Sequence, residues 1–125
     1  MRIPATRSPE NSARIELRSP DPSANPYLAF TGILAAGLDG ISSRTEPPLP
    51  VGDDVYEMSQ EEKRHRGIRA LPTSLRDAVD AFERSGVIRG AIGPAAEYLI
   101  RAKRAEIEEF DRTVTNWERL QYLDG

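Results

Sequence analysis

Apolar and polar residues alternate over a short stretch near the start of the chain, residues 13–18. Because the side chains of an extended segment point to opposite faces in turn, Ile15 and Leu17 would share one face. The other face would carry the three charged residues of the stretch, which are Arg14, Glu16 and Arg18. The alternation predicts one short strand inside an N-terminal segment that spans residues 1–24.

The next pattern is an apolar helix, predicted over residues 25–42. Asn25 is a good N-cap residue, and the fixed φ of Pro26 suits the first helical position. Apolar residues occupy nearly every side of this helix, so we expect it to be buried by surrounding protein. A loop over residues 43–58, marked by three prolines, separates it from the rest of the chain.

Helical patterns continue over residues 59–125, interrupted near Gly86. Helix starts are marked by two capping-box patterns and two proline positions: Ser59–Glu62, Thr115–Glu118, Pro72 and Gly93–Pro94. The patterns together predict a predominantly helical α+β chain, with one short N-terminal strand followed by about five helices.

Composition excludes several classes of function. The chain has 125 residues and no cysteine, and its single histidine is too few for a structural zinc site. A net charge of −3 gives no basic field for nucleic acid. The longest apolar run, residues 27–38, is too short to span a membrane, and the N-terminus lacks the apolar core of a signal peptide. We expect a cytoplasmic protein.

The charged face of the predicted strand is the first candidate for chemistry. Arginine binds carboxylates and phosphates through two parallel hydrogen bonds, and its charge is permanent. A glutamate held between Arg14 and Arg18 would stay ionised, which suits a hard divalent cation. An ordinary solvated strand face explains the same pattern, and the pattern alone favours that simpler interpretation.

Two contiguous segments then carry a resemblance to a known family. Residues 14–30 (RIELRSPDPSANPYLAF) and residues 34–41 (LAAGLDGI) closely resemble the C-terminal part of the catalytic domain of glutamine synthetase, the bacterial type I class in particular. Weaker similarity extends over the rest of the chain. Members of this family make glutamine from glutamate, ammonia and ATP through a γ-glutamyl phosphate, with Mg²⁺ or Mn²⁺, and they are oligomers.

The resemblance implies roles for individual residues. Glu16 matches a metal-binding glutamate, and Arg18 matches the arginine that binds the substrate glutamate. Arg14 matches a catalytic arginine that lines the nucleotide and phosphate region, and Arg2 matches a phosphate-contacting arginine. Tyr56 aligns with a tyrosine that some bacterial members adenylylate, although packing within its own loop is the alternative explanation.

The chain also departs from the family pattern. Family chains are several times longer, and most of their metal ligands precede the part that is matched. A single Glu16 cannot hold an octahedral ion, and His65 does not match the family's metal-binding histidine. We therefore expect a fragment from a split or truncated gene that is inactive alone.

Three alternatives remain open at this point. The chain could be a non-catalytic interaction module that co-assembles with a full-length synthetase, because its apolar helix needs partners. It could also belong to a related ligase that uses amines or polyamines, or be an inert remnant that folds poorly alone. Separately, the resemblance implies that the apolar tail around Trp117 is a subunit-contact element.

Overall fold

The structure is a computed structural model, and it describes residues 14–123. That part contains six helices and confirms the predominantly helical prediction. Their bounds are α1 Pro26–Ser42, α2 Gln60–His65, α3 Leu75–Arg84, α4 Gly86–Ile92, α5 Ala95–Arg112 and α6 Asn116–Tyr122.

The predicted N-terminal strand is not seen in the described part of the chain. Over residues 14–18 the backbone forms an isolated β-bridge at Glu16 and no strand. A strand is stable when its backbone N–H and C=O groups pair with neighbouring strands. The described residues 14–123 contain no strand with which residues 14–18 could pair.

Side-chain caps fix where several helices begin. The Oδ1 atom of Asn25 accepts from the N–H groups of Tyr27 and Leu28 at 3.0 and 3.3 Å, and Pro26 occupies the first helical position. The two predicted capping boxes are both formed, one at the start of α2 and one at the start of α6. These caps satisfy N–H groups that the helix itself leaves without partners.

The central helices pack in a defined order. α1 packs on α4, α4 also contacts α3 and α5, and α3 packs on α5. The closest approach of α1 to α4 is at Gly32, where an added methyl group would lie 3.8 Å from Cγ2 of Ile88. The core lies between α3 and α5. It contains Val79, Ile100 and Ile107, with Phe82 packed against them.

Ion pairs reinforce the contact of α3 with α5. Arg104 of α5 donates to Asp80 and to Glu83 of α3, each at 2.5 Å. These carboxylates raise the pKa of Arg104, and the hydrogen bond to Asp80 is the largest cause. Arg76 of α3 also pairs with Asp111 of α5.

The described helices do not bury helix α1. No residue of α1 is buried, because α4 covers one side and no other described helix covers the rest. The accessible surface of the chain is 11232 Å². A compact monomer of 13.9 kDa would have about 6,700 Å². Large apolar side chains of α1 are among the exposed ones, including Tyr27, Phe30 and Ile41 at 64–81%. Among the described residues, no helix is long and apolar enough to cross a membrane.

Candidate active-site segment

The charged face that the sequence predicted is partly assembled in the structure. Arg18 Nη2 donates to Glu16 Oε2 at 3.1 Å, so these two side chains lie on the same side of the segment as predicted. About a third of the Glu16 side chain is exposed, and Arg18 is mostly exposed. Arg14 is exposed on the same short segment. Arginine and carboxylate groups therefore lie at the surface, where a polar ligand can reach them.

A tight turn connects this segment to helix α1. The Ser23 hydroxyl and N–H donate to Asp21 Oδ1 at 2.5 and 2.8 Å, and the Ala24 N–H donates to the Asp21 carbonyl oxygen at 3.0 Å. These bonds lower the pKa of Asp21, mainly through the Ser23 hydroxyl. Asn25 then caps α1. The turn and the cap fix where the helix begins relative to the charged segment.

The described residues do not form a complete metal site. Within residues 14–123, no group of three or more His, Asp or Glu side chains is placed to hold a metal ion. Glu16 offers one carboxylate, and Arg18 is bonded to it. Because Mg²⁺ and Mn²⁺ favour several oxygen ligands, Glu16 by itself does not fit a bound ion.

The other predicted site residues lie apart from this segment. Tyr56 stands in a turn between α1 and α2, with its side chain 95% exposed, and its N–H donates to Asp54 Oδ1 at 2.9 Å. His65 is exposed at the end of α2, as a surface histidine would be. Arg2 lies outside the described residues.

Sequence reasoning missed an apolar groove between α3 and α5. Its volume is about 380 Å³. Its wall includes Leu75, Ile107 and Phe110, and the Arg76–Asp111 ion pair lies at its rim. None of the predicted site residues belongs to α3 or α5. The helical periodicity of α3 and α5 predicted that they carry apolar faces, but it could not predict how far apart the faces lie.

Comparison with known proteins shows what the chain is similar to. The family model described as glutamine synthetase, catalytic domain, matches residues 1–122. The chain belongs to this family. It corresponds to the C-terminal part of the glutamine synthetase catalytic domain, and the expectation drawn from residues 14–41 is confirmed.

Curated relatives include glutamine synthetases and one amine ligase. Glutamine synthetase of Thermotoga maritima is 45% identical over 124 residues, which cover 98% of this chain and 28% of that protein. Glutamine synthetase of Methanocaldococcus jannaschii is 44% identical, with 98% and 27% covered. A glutamate–methylamine ligase of Methyloversatilis universalis is 42% identical over 118 residues, with 94% and 26% covered. The chain thus spans about a quarter of the length of these relatives.

Two solved structures also match most of this chain with about a quarter of their own length. Apo GmaS without ligand superposes with a TM-score of 0.76 at 41% identity, over 87% of this chain and 25% of that one. The GmaS/ADP complex in conformation 1 gives a TM-score of 0.73 at 41% identity, over 87% and 24%. The helical arrangement described above is therefore that of a glutamine synthetase family domain.

Proposed function

We propose that this chain supplies the C-terminal part of the active site of an ATP-dependent ligase that joins ammonia to the γ-carboxyl group of glutamate. The observation that carries the proposal is the family match over residues 1–122, which includes the charged segment. The reaction proceeds through γ-glutamyl phosphate: glutamate takes the terminal phosphoryl group of ATP, and ammonia then displaces phosphate. Mg²⁺ or Mn²⁺ neutralises phosphate charge when it is bound.

The residues of the charged segment have separate tasks in this proposal. Arg18 binds a carboxylate of glutamate, since its side chain is mostly exposed although its Nη2 also donates to Glu16 Oε2, and a guanidinium can hold a carboxylate through two parallel bonds. Arg14 and Arg2 bind nucleotide and phosphoryl oxygens, where fixed positive charge stabilises the charge that develops during transfer. Glu16 contributes one metal ligand. The remaining ligands come from parts of the domain that precede the matched region.

The chain alone is proposed to be inactive because residues 14–123 hold no group of three or more side chains placed to bind a metal ion. Purified chain, glutamate, ATP, Mn²⁺ and hydroxylamine should give γ-glutamyl hydroxamate at the background rate. The same chain should give hydroxamate above background when it is combined with the Thermotoga maritima synthetase polypeptide lacking the part that this chain matches. Turnover by the chain alone would contradict the incomplete-site part of the proposal.

Arg18 gives the sharper test in such a reconstituted enzyme. Arg18→Gln should raise the KM for glutamate at least tenfold, because a charged hydrogen-bond pair to the substrate is lost. Arg69→Gln is a matched control, since Arg69 is exposed in a loop outside the segment. Equal glutamate KM values for the two variants would contradict the proposal that Arg18 binds the substrate.

A second candidate function differs in the nucleophile. The similarity to a glutamate–methylamine ligase at 42% identity favours an amine as the alternative to ammonia. A reconstituted enzyme supplied with ammonia or methylamine in parallel distinguishes the two. A kcat/KM for methylamine that exceeds the value for ammonia would assign the chain to the amine-using class.

Tyr56 is proposed as a site of adenylylation. The exposure of its side chain supports this role, since a transferase must reach the phenol oxygen. Intact mass after treatment with a bacterial adenylyltransferase and ATP, compared with a Tyr56→Phe variant, tests the proposal. We also propose that the protein is cytoplasmic and that it assembles into an oligomer.

A further inference from the structure

The connector between the charged segment and helix α1, residues 19–26, is constrained by proline along most of its length. Proline fixes its own φ and also restricts the residue that precedes it. Six of the eight connector residues are constrained in one of these two ways: Ser19, Pro20, Asp21, Pro22, Asn25 and Pro26. Only Ser23 and Ala24 keep the ordinary freedom of the backbone.

The hydrogen bonds of Asp21 fall on the two residues that proline leaves unconstrained. Its Oδ1 atom accepts from the Ser23 hydroxyl at 2.5 Å and from the Ser23 N–H at 2.8 Å. Its carbonyl oxygen accepts from the Ala24 N–H at 3.0 Å. An aspartate that bonds its own backbone two residues on forms an Asx turn, which holds the chain in one conformation. Proline and Asp21 together therefore restrain every residue of the connector.

Packing contributes little to the connector, because every residue from 19 to 26 is exposed. Its conformation depends instead on local restraints, and the side-chain bonds of Asp21 can be removed without disturbing a buried residue. Arg18 directly precedes the connector, and Glu16 lies two residues earlier. The direction in which these side chains leave α1 is therefore set by the connector.

We propose that Asp21 is a positioning residue for Arg18, which acts by closing the turn at Ser23 and so fixing how the charged segment leaves α1. This inference rests on the proposed function, in which Arg18 binds a carboxylate of glutamate. Asp21 acts through Arg18 and does not touch the substrate. A misplacement of about 1 Å at a substrate-positioning group costs up to about 100-fold in rate, so a turn three residues from Arg18 can decide how well glutamate is bound.

Asp54 provides a matched control within the same chain. Its Oδ1 atom accepts from the Tyr56 N–H at 2.9 Å, and its carbonyl oxygen accepts from the Glu57 N–H at 3.2 Å. These bonds repeat the spacing of the Asp21 turn, but they lie in the loop between α1 and α2. Asp54→Ala therefore removes the same kind of turn outside the connector.

The first measurement uses the chain alone and does not depend on catalysis. Backbone amide relaxation by NMR gives an order parameter, which is about 0.85 for rigid backbone and below about 0.6 for flexible backbone. We expect Asp21→Ala to lower the order parameter of the Arg18 amide towards the flexible range, and Asp54→Ala to leave it unchanged. Asp21→Asn should keep the wild-type value, because the side-chain oxygen of asparagine accepts the same bonds.

The second measurement uses the enzyme reconstituted with the Thermotoga maritima synthetase polypeptide that lacks the matched part. Asp21→Ala should raise the KM for glutamate about five- to tenfold and leave kcat within about twofold, since substrate binding is what Arg18 supplies. Asp21→Asn should restore the wild-type KM, and Asp54→Ala should not change it. In the Arg18→Gln background, Asp21→Ala should give no further rise, because a residue that acts through another loses its effect when that residue is removed.

Three results would overturn the positioning proposal. The first is an Arg18 amide that stays rigid in Asp21→Ala, or that loosens equally in Asp54→Ala. The second is a glutamate KM that stays at the wild-type value in Asp21→Ala while Arg18→Gln raises it, or that rises equally in Asp21→Asn, which would assign the effect to the charge of Asp21. The third is additivity of Asp21→Ala and Arg18→Gln, since Asp21 would then act independently of Arg18.

Failure of the proposed function is recognised separately. If Asp21→Ala loosens the Arg18 amide but Arg18→Gln leaves the glutamate KM unchanged, Asp21 positions Arg18 and the proposed role of Arg18 in substrate binding is contradicted. If the wild-type combination forms no γ-glutamyl hydroxamate, the proposed function is contradicted, and the relaxation measurement on the chain alone still decides whether Asp21 positions Arg18.

Discussion

Helices α1 and α5 are the two longest in the described chain, and they differ in where their apolar residues find partners. α5 places Ala96, Ile100 and Ile107 in buried positions against its neighbours, whereas α1 has no buried residue. Yet α1 is by far the more apolar of the two in sequence. Hydrophobicity therefore indicates that a helix needs a partner, and it does not say that the same chain supplies the partner.

The polar residues of the two regions show the same contrast. Around α5, Arg104 bonds to two carboxylates of α3, so its charge is balanced within the chain. In the N-terminal segment, Arg14 and Arg18 are exposed, and Arg18 pairs with Glu16 within the segment itself. The α3–α5 pair therefore holds its apolar and charged groups within the described part of the chain, whereas the N-terminal segment and α1 leave most of theirs exposed.

The largest expected effect comes from truncating the core. Ile100→Ala removes three methyl or methylene groups from a side chain that is 6% exposed and packed in the cluster with Val79 and Ile107. We expect the free energy of unfolding to fall by about 2–5 kcal/mol. Urea denaturation followed by circular dichroism measures it.

The matched control for the core is Leu34→Ala, at an exposed position of α1. Leu34 is 64% exposed, so its truncation should change the unfolding free energy of the chain alone by within about 0.5 kcal/mol. Equal destabilisation of the isolated chain by Leu34→Ala and Ile100→Ala would show that α1 contributes as much to stability as the α3–α5 core does.

The second-largest effect on stability is expected at Gly93, in the junction between α4 and α5. Gly93 has φ 66° and ψ −143°, a conformation that is almost confined to glycine. A Cβ atom there would meet nothing within 4 Å, so Gly93→Ala introduces backbone strain without a clash. We expect a loss of about 1–3 kcal/mol in the free energy of unfolding.

Gly90→Ala within α4 is the control for that junction. A Cβ atom at Gly90 also meets nothing within 4 Å, but Gly90 has no positive φ. Alanine has the higher helix propensity, so this variant should be neutral or more stable by up to about 1 kcal/mol. Equal destabilisation by the two variants in thermal melts would show that the φ of Gly93 is not the cause.

Local signals in the sequence predicted most helix starts. Asn25 and Pro26 marked the start of α1, and the capping-box patterns marked α2 and α6. Helix α4 was missed because it contains two glycines in seven residues and follows directly on α3. Ser85 ends α3 and also caps α4, since its Oγ accepts from the Ile88 N–H at 3.3 Å. The packing of α4 against α1 outweighs the low helix propensity that its two glycines give it.

The candidate site shows what sequence can and cannot predict. The alternating pattern correctly placed Glu16 and Arg18 on one side of the segment, because that follows from an extended backbone. It failed to predict that no strand would form, since strand pairing depends on neighbours that residues 14–123 lack. The burial of α1 by surrounding protein stays a prediction, since the described helices cover only one side of it.

A smaller effect is expected from the ion pairs of α3 and α5. Arg104→Gln removes the positive charge that faces Asp80 and Glu83, at a site where the three side chains are 32–40% exposed. The melting temperature should fall by a few degrees, less than for Ile100→Ala. The difference from wild type should shrink in 1 M salt, where the screening length is about 3 Å. Arg101→Gln, an exposed position on the same helix, is the control. A salt-independent loss would indicate packing rather than charge.

The smallest effect concerns the cap of α6, which none of the other described helices contacts. The Thr115 N–H and hydroxyl donate to Glu118 Oε2 at 2.7 and 2.8 Å and lower the pKa of Glu118, with the N–H as the larger cause. A carboxyl group with a lowered pKa in the folded state stabilises the fold above the ordinary glutamate pKa. That stabilisation is lost as pH falls through the lowered value. We expect the amide signal of Thr115 in an NMR titration to move with a midpoint below the ordinary glutamate range, and α6 to fray at lower pH. Glu118→Gln should abolish that transition. A midpoint at or above the ordinary value would mean that the capping box at the start of α6 does not persist in solution.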